Sequence, residues 1–262
     1  MATPEPLGSA QSIDPSAYLI DPNLRCADGA VFTPTHCFLG RTETVDSLEC
    51  HYSVLMPGAS PHPPHRHREE EILVVMNGSA ELVVPSPIRE DITEVFPAPA
   101  GTAIYYPSLQ RHTIRNASEG PVTYAMLRWT SEAAGAGSPL VPCLVQAAWL
   151  QGGARATAIS MAPLLEGATD FLGTLHAHAT RIEPGGGYGA HRDTHDVAIF
   201  LIKGEIAILG SAIAAPAVAF VPAGYPHDMR ATGAAPAQYL VWEFHKRAAP
   251  RAVAEARPLR HG

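Results

Sequence analysis

Residues 60–78 read SPHPPHRHREEEILVVMNG and join a polar cluster to an apolar run and a turn signal. Clusters rich in histidine and glutamate also occur in solvated loops, so spacing has to separate metal ligands from loop residues. Side chains two apart on a strand share a face, which predicts that His65, His67 and Glu71 point the same way. The run ILVVM predicts a buried strand and Asn77-Gly78 a two-residue hairpin turn. The stretch therefore predicts a strand that opens with potential metal ligands.

A fourth ligand is available downstream in GTAIYYPSLQRHTIRN, which places His112 on a later strand. Three imidazoles and one carboxylate suit one divalent transition metal per chain, with Fe(II) favoured and Mn, Ni, Cu or Zn also accepted. Such a set leaves coordination positions open, which favours chemistry over a structural role. Glu69 lies on the same predicted face as Glu71 and is the competing carboxylate, whereas His62 and Glu70 are predicted to be rim residues.

Composition limits the class of protein. The chain has 262 residues, 46% of them hydrophobic and 16% charged, and a formal net charge of −7. No basic stripe is available for nucleic acid, and no apolar run is long enough to span a membrane. The N-terminus lacks a signal sequence, and Cys26, Cys37, Cys50 and Cys143 show no paired spacing. We expect a cytoplasmic protein with reduced cysteines, a small-molecule partner and no nucleic-acid or membrane partner.

Short β-branched runs separated by glycine and proline predict an all-β fold, and a repeat divides it in two. The corresponding pairs are Pro57-Gly58 with Pro184-Gly185, His65 with His191, Gly78 with Gly204, Pro107 with Pro222, His112 with His227, and Trp129 with Trp242. The predicted organisation is an N-terminal arm and strand at 1–40, a β-domain at 41–130, a linker at 131–142, a second β-domain at 143–247 and a tail at 248–262. Exposed edge strands of β-domains often pair, so a homodimer is expected.

The second repeat carries an altered ligand set. It keeps His191 and His227, but Asp193 replaces the second histidine and Val197 the glutamate. One interpretation is a decayed site kept for packing. The other is a second metal or small-ligand site of two histidines and one carboxylate, which His195 could join.

The first-repeat residues form a two-part pattern, Gly58 followed by His65-x-His67-x3-Glu71-x6-Gly78, and Gly101-x5-Pro107-x-Leu109-x2-His112-x3-Asn116. This pattern resembles the two motifs of the cupin superfamily. Two departures are an extra residue before His65 and Leu109 at a position where the family usually has glycine. The resemblance implies two tandem jelly-roll β-barrels, a bicupin, with metal inside near one mouth. Overall size and pairing are also distantly similar to (S)-ureidoglycine aminohydrolases, which carry their metal in the C-terminal barrel.

Further residues are candidates for lining the pockets. His51 and its counterpart His178 precede the first motif on strands expected to cross each barrel, where they would contact ligands or substrate. Chance alternation on a half-exposed strand is the alternative. One of Tyr105 and Tyr106 must face inward, and Tyr105 is taken as the candidate. No lysine or arginine is clearly placed inside the first pocket.

Together these features predict a metal-dependent enzyme that acts on a small organic molecule, most simply as a dioxygenase-type oxidoreductase with its metal in the N-terminal barrel. A metal-assisted isomerase or hydrolase resembling ureidoglycine aminohydrolase is the second hypothesis. A metabolite-binding cupin without turnover is the third. Fold and ligand set do not choose among these reactions.

Overall fold

The computed structural model describes residues 11–246, except 28, 87, 88, 90, 91, 133–138 and 147–157. The predicted tail at 248–262, the first ten residues of the predicted arm and the middle of the predicted linker lie outside the described residues. Every regular element in the described part of the chain is a β-strand, which confirms the all-β prediction. Within that part, no helix is long and apolar enough to cross a membrane.

Ten strands form in the described residues before 147. They are β1 (Ser16–Leu19), β2 (Phe32–Gly40), β3 (Ser47–Leu55), β4 (Glu70–Asn77), β5 (Ser79–Pro85), β6 (Thr93–Pro99), β7 (Thr102–Tyr106), β8 (Thr113–Arg115), β9 (Val122–Thr130) and β10 (Cys143–Gln146).

Nine strands follow in the second half. They are β11 (Ile159–Gly167), β12 (Thr174–Ile182), β13 (Gly187–His191), β14 (Asp196–Lys203), β15 (Glu205–Ile208), β16 (Ser211–Ala214), β17 (Ala217–Val221), β18 (His227–Ala231) and β19 (Ala237–His245).

Each half folds as a large sheet facing a small one. The N-terminal barrel combines β10-β7-β4-β9-β3-β2 with β6-β5-β8, and the C-terminal barrel combines β1-β17-β14-β19-β12-β11 with β13-β18-β15-β16. Alternate residues of the large sheets point either into a barrel or away from it. Inward residues of each half form separate apolar clusters, whereas outward residues of both halves share one cluster. The two large sheets therefore pack back to back, with a pocket on the opposite side of each.

The two halves exchange strands, and this corrects the predicted boundaries. Ser16–Leu19 of the predicted arm pairs antiparallel with β17 of the C-terminal barrel. Cys143–Gln146, predicted to start the C-terminal barrel, pairs with β7 of the N-terminal barrel. Phe32–Gly40 pairs with β3 and so belongs to the first barrel. Local sequence cannot reveal such exchanges, because the pairing partners lie far along the chain.

The hairpin prediction at Asn77-Gly78 was wrong. β4 pairs with β7 and β9, whereas β5 pairs with β6 and β8, so the chain passes from one sheet to the other at Gly78. Gly78 has φ +83°, and a Cβ there would lie 2.9 Å from the carbonyl oxygen of Pro121. The glycine marks a sheet-to-sheet corner that has the same turn chemistry as a hairpin.

Buried acids link the two halves. Glu70, predicted to lie on the rim, has no exposed surface because it faces the back of its sheet. It accepts hydrogen bonds from the Tyr105 hydroxyl (3.0 Å), the Thr169 hydroxyl (2.7 Å) and the Asp170 N–H (2.7 Å). Burial, which outweighs these donors, raises its pKa. A glutamate of the first barrel is thus held by a loop of the second.

Asp196 takes the equivalent position in the second barrel, fully buried and accepting from the Ala223 N–H at 2.8 Å. Strand register aligns the halves here: Glu70 lies opposite Trp129, and Asp196 lies opposite Phe244. Trp129 therefore corresponds to Phe244, which corrects the predicted match with Trp242. The Trp129 and Phe244 rings meet edge to face with centroids 5.1 Å apart.

Candidate functional site

The first pocket is a cavity of about 300 Å³ inside the N-terminal barrel. Its lining combines histidines and charged residues at one side with an apolar wall. The polar residues include His36, Glu49, His51, His62, His65, Glu71, His112 and Arg128, and the apolar ones include Phe32, Leu73, Ile114, Tyr124 and Met126. Leu73, two residues beyond Glu71 on β4, belongs to this wall.

Three of the predicted ligands converge at the edge of this pocket, which Glu71 and His112 line. The Nε2 atom of His67 lies 3.2 Å from Oε2 of Glu71, and Nε2 of His112 lies 3.4 Å from its Oε1. Donor atoms of all three residues lie within 4.8 Å of one another. Glu71 is the second residue of β4, His112 immediately precedes β8, and His67 lies in the irregular segment before β4. The predicted strand through His67 is thus absent, although the convergence does not need it.

Backbone carbonyls orient both imidazoles. Nδ1 of His67 lies 3.1 Å from the Glu69 carbonyl oxygen, and Nδ1 of His112 lies 2.8 Å from the Gln110 carbonyl oxygen. A carbonyl only accepts, so in the neutral rings these nitrogens carry the proton and Nε2 keeps its lone pair. Both lone pairs then face the Glu71 carboxylate.

His65 lies beside this group but outside the 4.8 Å set. Its backbone exchanges hydrogen bonds with His112 at 3.2 and 3.0 Å, and its ring centroid lies 5.2 Å from that of His67 and 5.3 Å from that of His112. Its side chain reaches the pocket from the more exposed edge. The His62 ring stacks edge-on against it at 3.9 Å, so His62 is an exposed rim residue.

Mutual interactions shift the pKa values of these groups. Burial disfavours ionisation of Glu71, but the adjacent His112 and His67 side chains outweigh it and lower the pKa. For His67, burial opposes protonation but Glu71 outweighs it and raises the pKa. Burial and the neighbouring histidines lower the pKa of His65 to about 4. The side chains therefore provide an ionised carboxylate beside at least one neutral imidazole.

A buried polar atom tests whether a metal fits. Nε2 of His67 is buried and has no hydrogen-bond partner, although Glu71 Oε2 is only 3.2 Å away, because the geometry is not that of a hydrogen bond. Four donors arranged tetrahedrally at about 2.0–2.1 Å from an ion lie about 3.3–3.4 Å apart, close to the separations seen here. The residues therefore fit a divalent transition metal. Glu71 occupies the carboxylate position, whereas Glu69 lies 3.3 Å from the far nitrogen, Nδ1, of His67.

The tyrosine prediction was reversed. Tyr105 lies opposite Ile72 on the back face of the sheet, where its hydroxyl donates to Glu70. Tyr106 lies opposite Glu71 and stacks on the His112 ring with centroids 4.0 Å apart. Tyr106, rather than Tyr105, therefore packs against the candidate metal ligands. Sequence indicated that one of the two faces inward but lacked the strand register that decides which.

Sequence reasoning also missed Arg128, the nearest cation in the first pocket. It lies opposite both Glu71 and Glu49 on neighbouring strands and donates to Oε2 of Glu49 through Nε at 2.8 Å and through Nη2. Nδ1 of His51 and Nδ1 of His36 lie 3.5 and 3.4 Å from Oε1 of Glu49. His51, then Arg128, lower the pKa of Glu49 to about 2 against the effect of burial. Alternation along VTYAMLRWT places Arg128 on the same face as Met126. It does not tell whether that face is the pocket face.

The second pocket is a larger cavity of about 510 Å³ in the C-terminal barrel. Oδ2 of Asp193 lies 3.6 Å from Nε2 of His191 and 3.5 Å from Nε2 of His227, so the tentative second set does converge. Val197 lines the cavity at the position of Glu71. His178 also lines it, with Nδ1 3.7 Å from Oε1 of Glu243. Glu243 lies opposite Val197 on the adjacent strand and was not singled out from sequence.

Comparisons with known proteins agree with this architecture. Residues 51–128 match a family described as Cupin domain. A structure of a glyoxylate induced protein from Pseudomonas aeruginosa is 13% identical with a TM-score of 0.66, over 96% of this chain and 97% of that one. Oxalate decarboxylase from Bacillus subtilis is 16% identical with a TM-score of 0.54, over 79% and 71%. AerE from Microcystis aeruginosa is 15% identical with a TM-score of 0.54, over 81% and 97%. No curated protein sequence matches the chain significantly.

The fold and the family match define an all-β protein of two jelly-roll barrels with candidate histidine and carboxylate metal sites. The match to the cupin domain family falls in the N-terminal barrel, where the two motifs predicted it, and the fold of two such barrels is the one shared with the solved structures. Likeness at these identities reports fold, so the resemblance to ureidoglycine aminohydrolases stays a prediction.

Proposed function

We propose that this bicupin is a metal-dependent enzyme whose working site lies in the N-terminal barrel and whose reaction is of the dioxygenase type on a small organic molecule. The observation that carries the proposal is the convergence of His67, Glu71 and His112 in a pocket, with Nε2 of His67 buried and unpaired. A purely structural role would not require donor atoms aimed into a cavity.

The residues that would hold the metal are His67, Glu71 and His112, with His65 completing the set from the exposed edge. Fe(II) is the favoured ion, and Mn, Ni, Cu and Zn accept the same donors. A bound ion would supply Lewis acidity and open coordination positions for substrate and O2.

The other lining residues suit a small substrate with an apolar body and an anionic end. Leu73, Ile114 and Met126 form an apolar wall that would bind the body and exclude water. Arg128 lines the same cavity and is about one-third exposed, so its guanidinium is available to an anionic group even while it pairs with Glu49. Tyr106 holds the His112 ring by stacking and so preserves the aim of Nε2.

A second candidate function, metal-assisted isomerisation or hydrolysis, is favoured by Glu49 and His51. Both face the first cavity, and the pair offers a group that can hold or move a proton without O2. A reaction like that of ureidoglycine aminohydrolase falls in this class. We further propose that His191, Asp193 and His227 hold a metal or small ligand in the C-terminal barrel, because their donors converge at 3.5–3.6 Å.

The test is O2 uptake by Fe(II)-loaded protein with a panel of small carboxylic acids that carry apolar groups, run in parallel without O2. We expect substrate-dependent O2 uptake in the wild-type chain, loss of it in His112→Ala, and retention in the matched variant His227→Ala of the other barrel. Turnover that continues unchanged without O2 would replace the dioxygenase reaction with the isomerase or hydrolase class. Ligand binding without any turnover would contradict the enzymatic proposal.

A further inference from the structure

Glu243 lies at the centre of a histidine cluster that is separate from the His191, Asp193 and His227 set. On β19, Phe244 points to the back of the sheet and is fully buried, so Glu243 and His245 point to the pocket side. On the neighbouring β14, Asp196 is likewise buried at the back, which turns His195 to the pocket side. Asp196 lies opposite Phe244, so His195 falls next to His245 across the strand pair. β19 and the residue that precedes β14 thus place three ligand-type side chains on one face.

The donor atoms of these residues converge on one oxygen. Nε2 of His245 lies 3.1 Å and Nε2 of His195 lies 3.4 Å from Oε2 of Glu243. The two imidazole centroids lie 4.1 Å apart, and all three donors fall within 4.8 Å of one another. Donors bound to one tetrahedral ion at about 2.0–2.1 Å lie about 3.3–3.4 Å apart. The spacing therefore matches a shared ion, and the side chains are 15–35% exposed, which leaves a path for entry.

The corresponding carboxylate arrangement in the first barrel shows what distinguishes this cluster. Glu49 also has two histidines within 3.5 Å, but Arg128 donates to its other oxygen and neutralises it. In the part of the chain that the structure describes, only histidines pair with Glu243. Its charge thus lacks a permanent cationic partner, which a divalent cation would supply.

The other side of Glu243 is less suitable for an ion. Nδ1 of His178 lies 3.7 Å from Oε1, and Nδ1 of His176 already lies 2.9 Å from Oε2 of Glu166. This leaves His195 and His245 as the pair whose Nε2 atoms share a single oxygen. The first barrel has Glu69, Arg128 and Thr130 at the matching positions, so the cluster is specific to the second half.

We propose that His195, Glu243 and His245 form a separate binding site for a borderline divalent transition metal, with Zn²⁺ as the probe of choice. The site has two imidazole nitrogens and one carboxylate oxygen and keeps further positions for water or a ligand. Because Glu243 lines the second cavity, a bound ion sits at the edge of that cavity. The site is independent of the function proposed for the N-terminal barrel.

The experiment is equilibrium dialysis of the metal-free full chain against micromolar Zn²⁺ followed by elemental analysis. We expect His195→Ala and His245→Ala each to bind one Zn²⁺ fewer per chain than wild type. The matched control His176→Ala should keep the wild-type stoichiometry, and His112→Ala should lose a different equivalent. Equal Zn²⁺ binding in wild type, His195→Ala and His245→Ala would overturn the proposal, and a loss in His176→Ala alone would move the ion to the other side of Glu243.

A second measurement needs no variant and so does not depend on the folding of one. The wild-type chain is treated with diethylpyrocarbonate with and without Zn²⁺, and modification is read by peptide mapping. Zn²⁺ should slow modification of His195 and His245 at least severalfold while His176 reacts at an unchanged rate. Identical rates at His195 and His245 with and without Zn²⁺ would refute the site. If Zn²⁺ protects His195 and His245 but the protein shows no turnover with any substrate, the proposed enzymatic function is refuted and this metal site is retained.

Discussion

The two barrels share a frame and differ in where charge is placed within it. In the N-terminal barrel the pocket-facing carboxylate, Glu71, lies on β4 and a cation, Arg128, lies opposite on β9. In the C-terminal barrel the corresponding pair is Val197 on β14 and Glu243 on β19. The pocket-facing carboxylate of the C-terminal barrel thus lies on the neighbouring strand, at the position that Arg128 takes in the first barrel. Histidines surround it.

The back faces of the sheets differ much less. Glu70 and Asp196 are both buried, and each precedes a pocket-facing residue, Glu71 or Val197. A loop hydroxyl, from Thr169, binds Glu70 across the halves, and Thr42 of the equivalent first-half loop faces Asp196. The comparison indicates that packing between the halves constrains the back face, whereas a few inward positions are free to set ligand chemistry.

The largest expected effect comes from removing one imidazole in each barrel. His112→Ala should weaken metal binding at the N-terminal site by roughly a hundredfold or more, since losing a ligand exceeds the roughly 10–100-fold effect of losing its outer partner. His227→Ala should leave that affinity within about twofold. Competition titrations with a chelator measure both. Equal losses of metal affinity in the two variants would contradict the assignment of this metal site to the N-terminal barrel.

The buried acids should differ in their contribution to stability. Glu70→Ala removes the acceptor for three donors and leaves a cavity, so the free energy of unfolding should fall by about 3 kcal/mol. Asp196→Ala should cost less, about 1–2 kcal/mol, because it removes a smaller side chain together with the acceptor of the Ala223 N–H and the neighbour of Thr42. Urea denaturation of metal-free protein gives both values. A larger loss of unfolding free energy in Asp196→Ala than in Glu70→Ala would contradict the stronger contribution assigned to Glu70.

Glu49 should give the N-terminal barrel an acid-sensitive component that the other barrel lacks. Its pKa falls from 4.5 to about 2 on folding, so its stabilisation is complete above about pH 4.5 and is lost as pH falls through about 2. That component is on the order of 3 kcal/mol. Unfolding of wild type and Glu49→Gln between pH 2 and 7 should show a difference that shrinks only below about pH 4.5.

The matching position in the other barrel is His176, which lies opposite Glu243 as Glu49 lies opposite Arg128. The C-terminal barrel therefore has no carboxylate at the position of Glu49. A difference in the free energy of unfolding between wild type and Glu49→Gln that stays constant down to pH 2 would contradict the lowered pKa assigned to Glu49.

The smallest effect concerns the turn before the second motif histidine. Leu109 has φ 63° and Gly224 has φ 76°, and both backbone N–H groups donate to equivalent carbonyls, those of His67 and Asp193. A left-handed leucine costs about 1–2 kcal/mol, partly offset by the greater entropy of an unfolded glycine. Leu109→Gly should stabilise by about 0.5 kcal/mol and Gly224→Leu destabilise by about 1 kcal/mol. Thermal unfolding should shift in opposite directions, and shifts of the same sign would refute the equivalence of the turns.

Much of the fold followed from local signals, because repeated glycines, β-branched runs and motif spacing are written along the chain. The convergence of His67, Glu71 and His112 followed from the same spacing. Register across strands is not local, and it alone decides that Tyr106 and Arg128 face the pocket while Tyr105 and Glu70 face the other half. Sequence analysis did not predict the exchange of β1 and β10 or the corner at Gly78, for the same reason. The residues of a turn or strand do not determine which strand it pairs with.

The most direct test of the central claim is anomalous diffraction at the metal edge from crystals of the Fe(II)-loaded full chain. The account predicts a peak in the N-terminal barrel bounded by Nε2 of His67, Nε2 of His112 and the Glu71 carboxylate, with His65 nearby. An N-terminal barrel without a peak, beside an occupied C-terminal barrel, would contradict it.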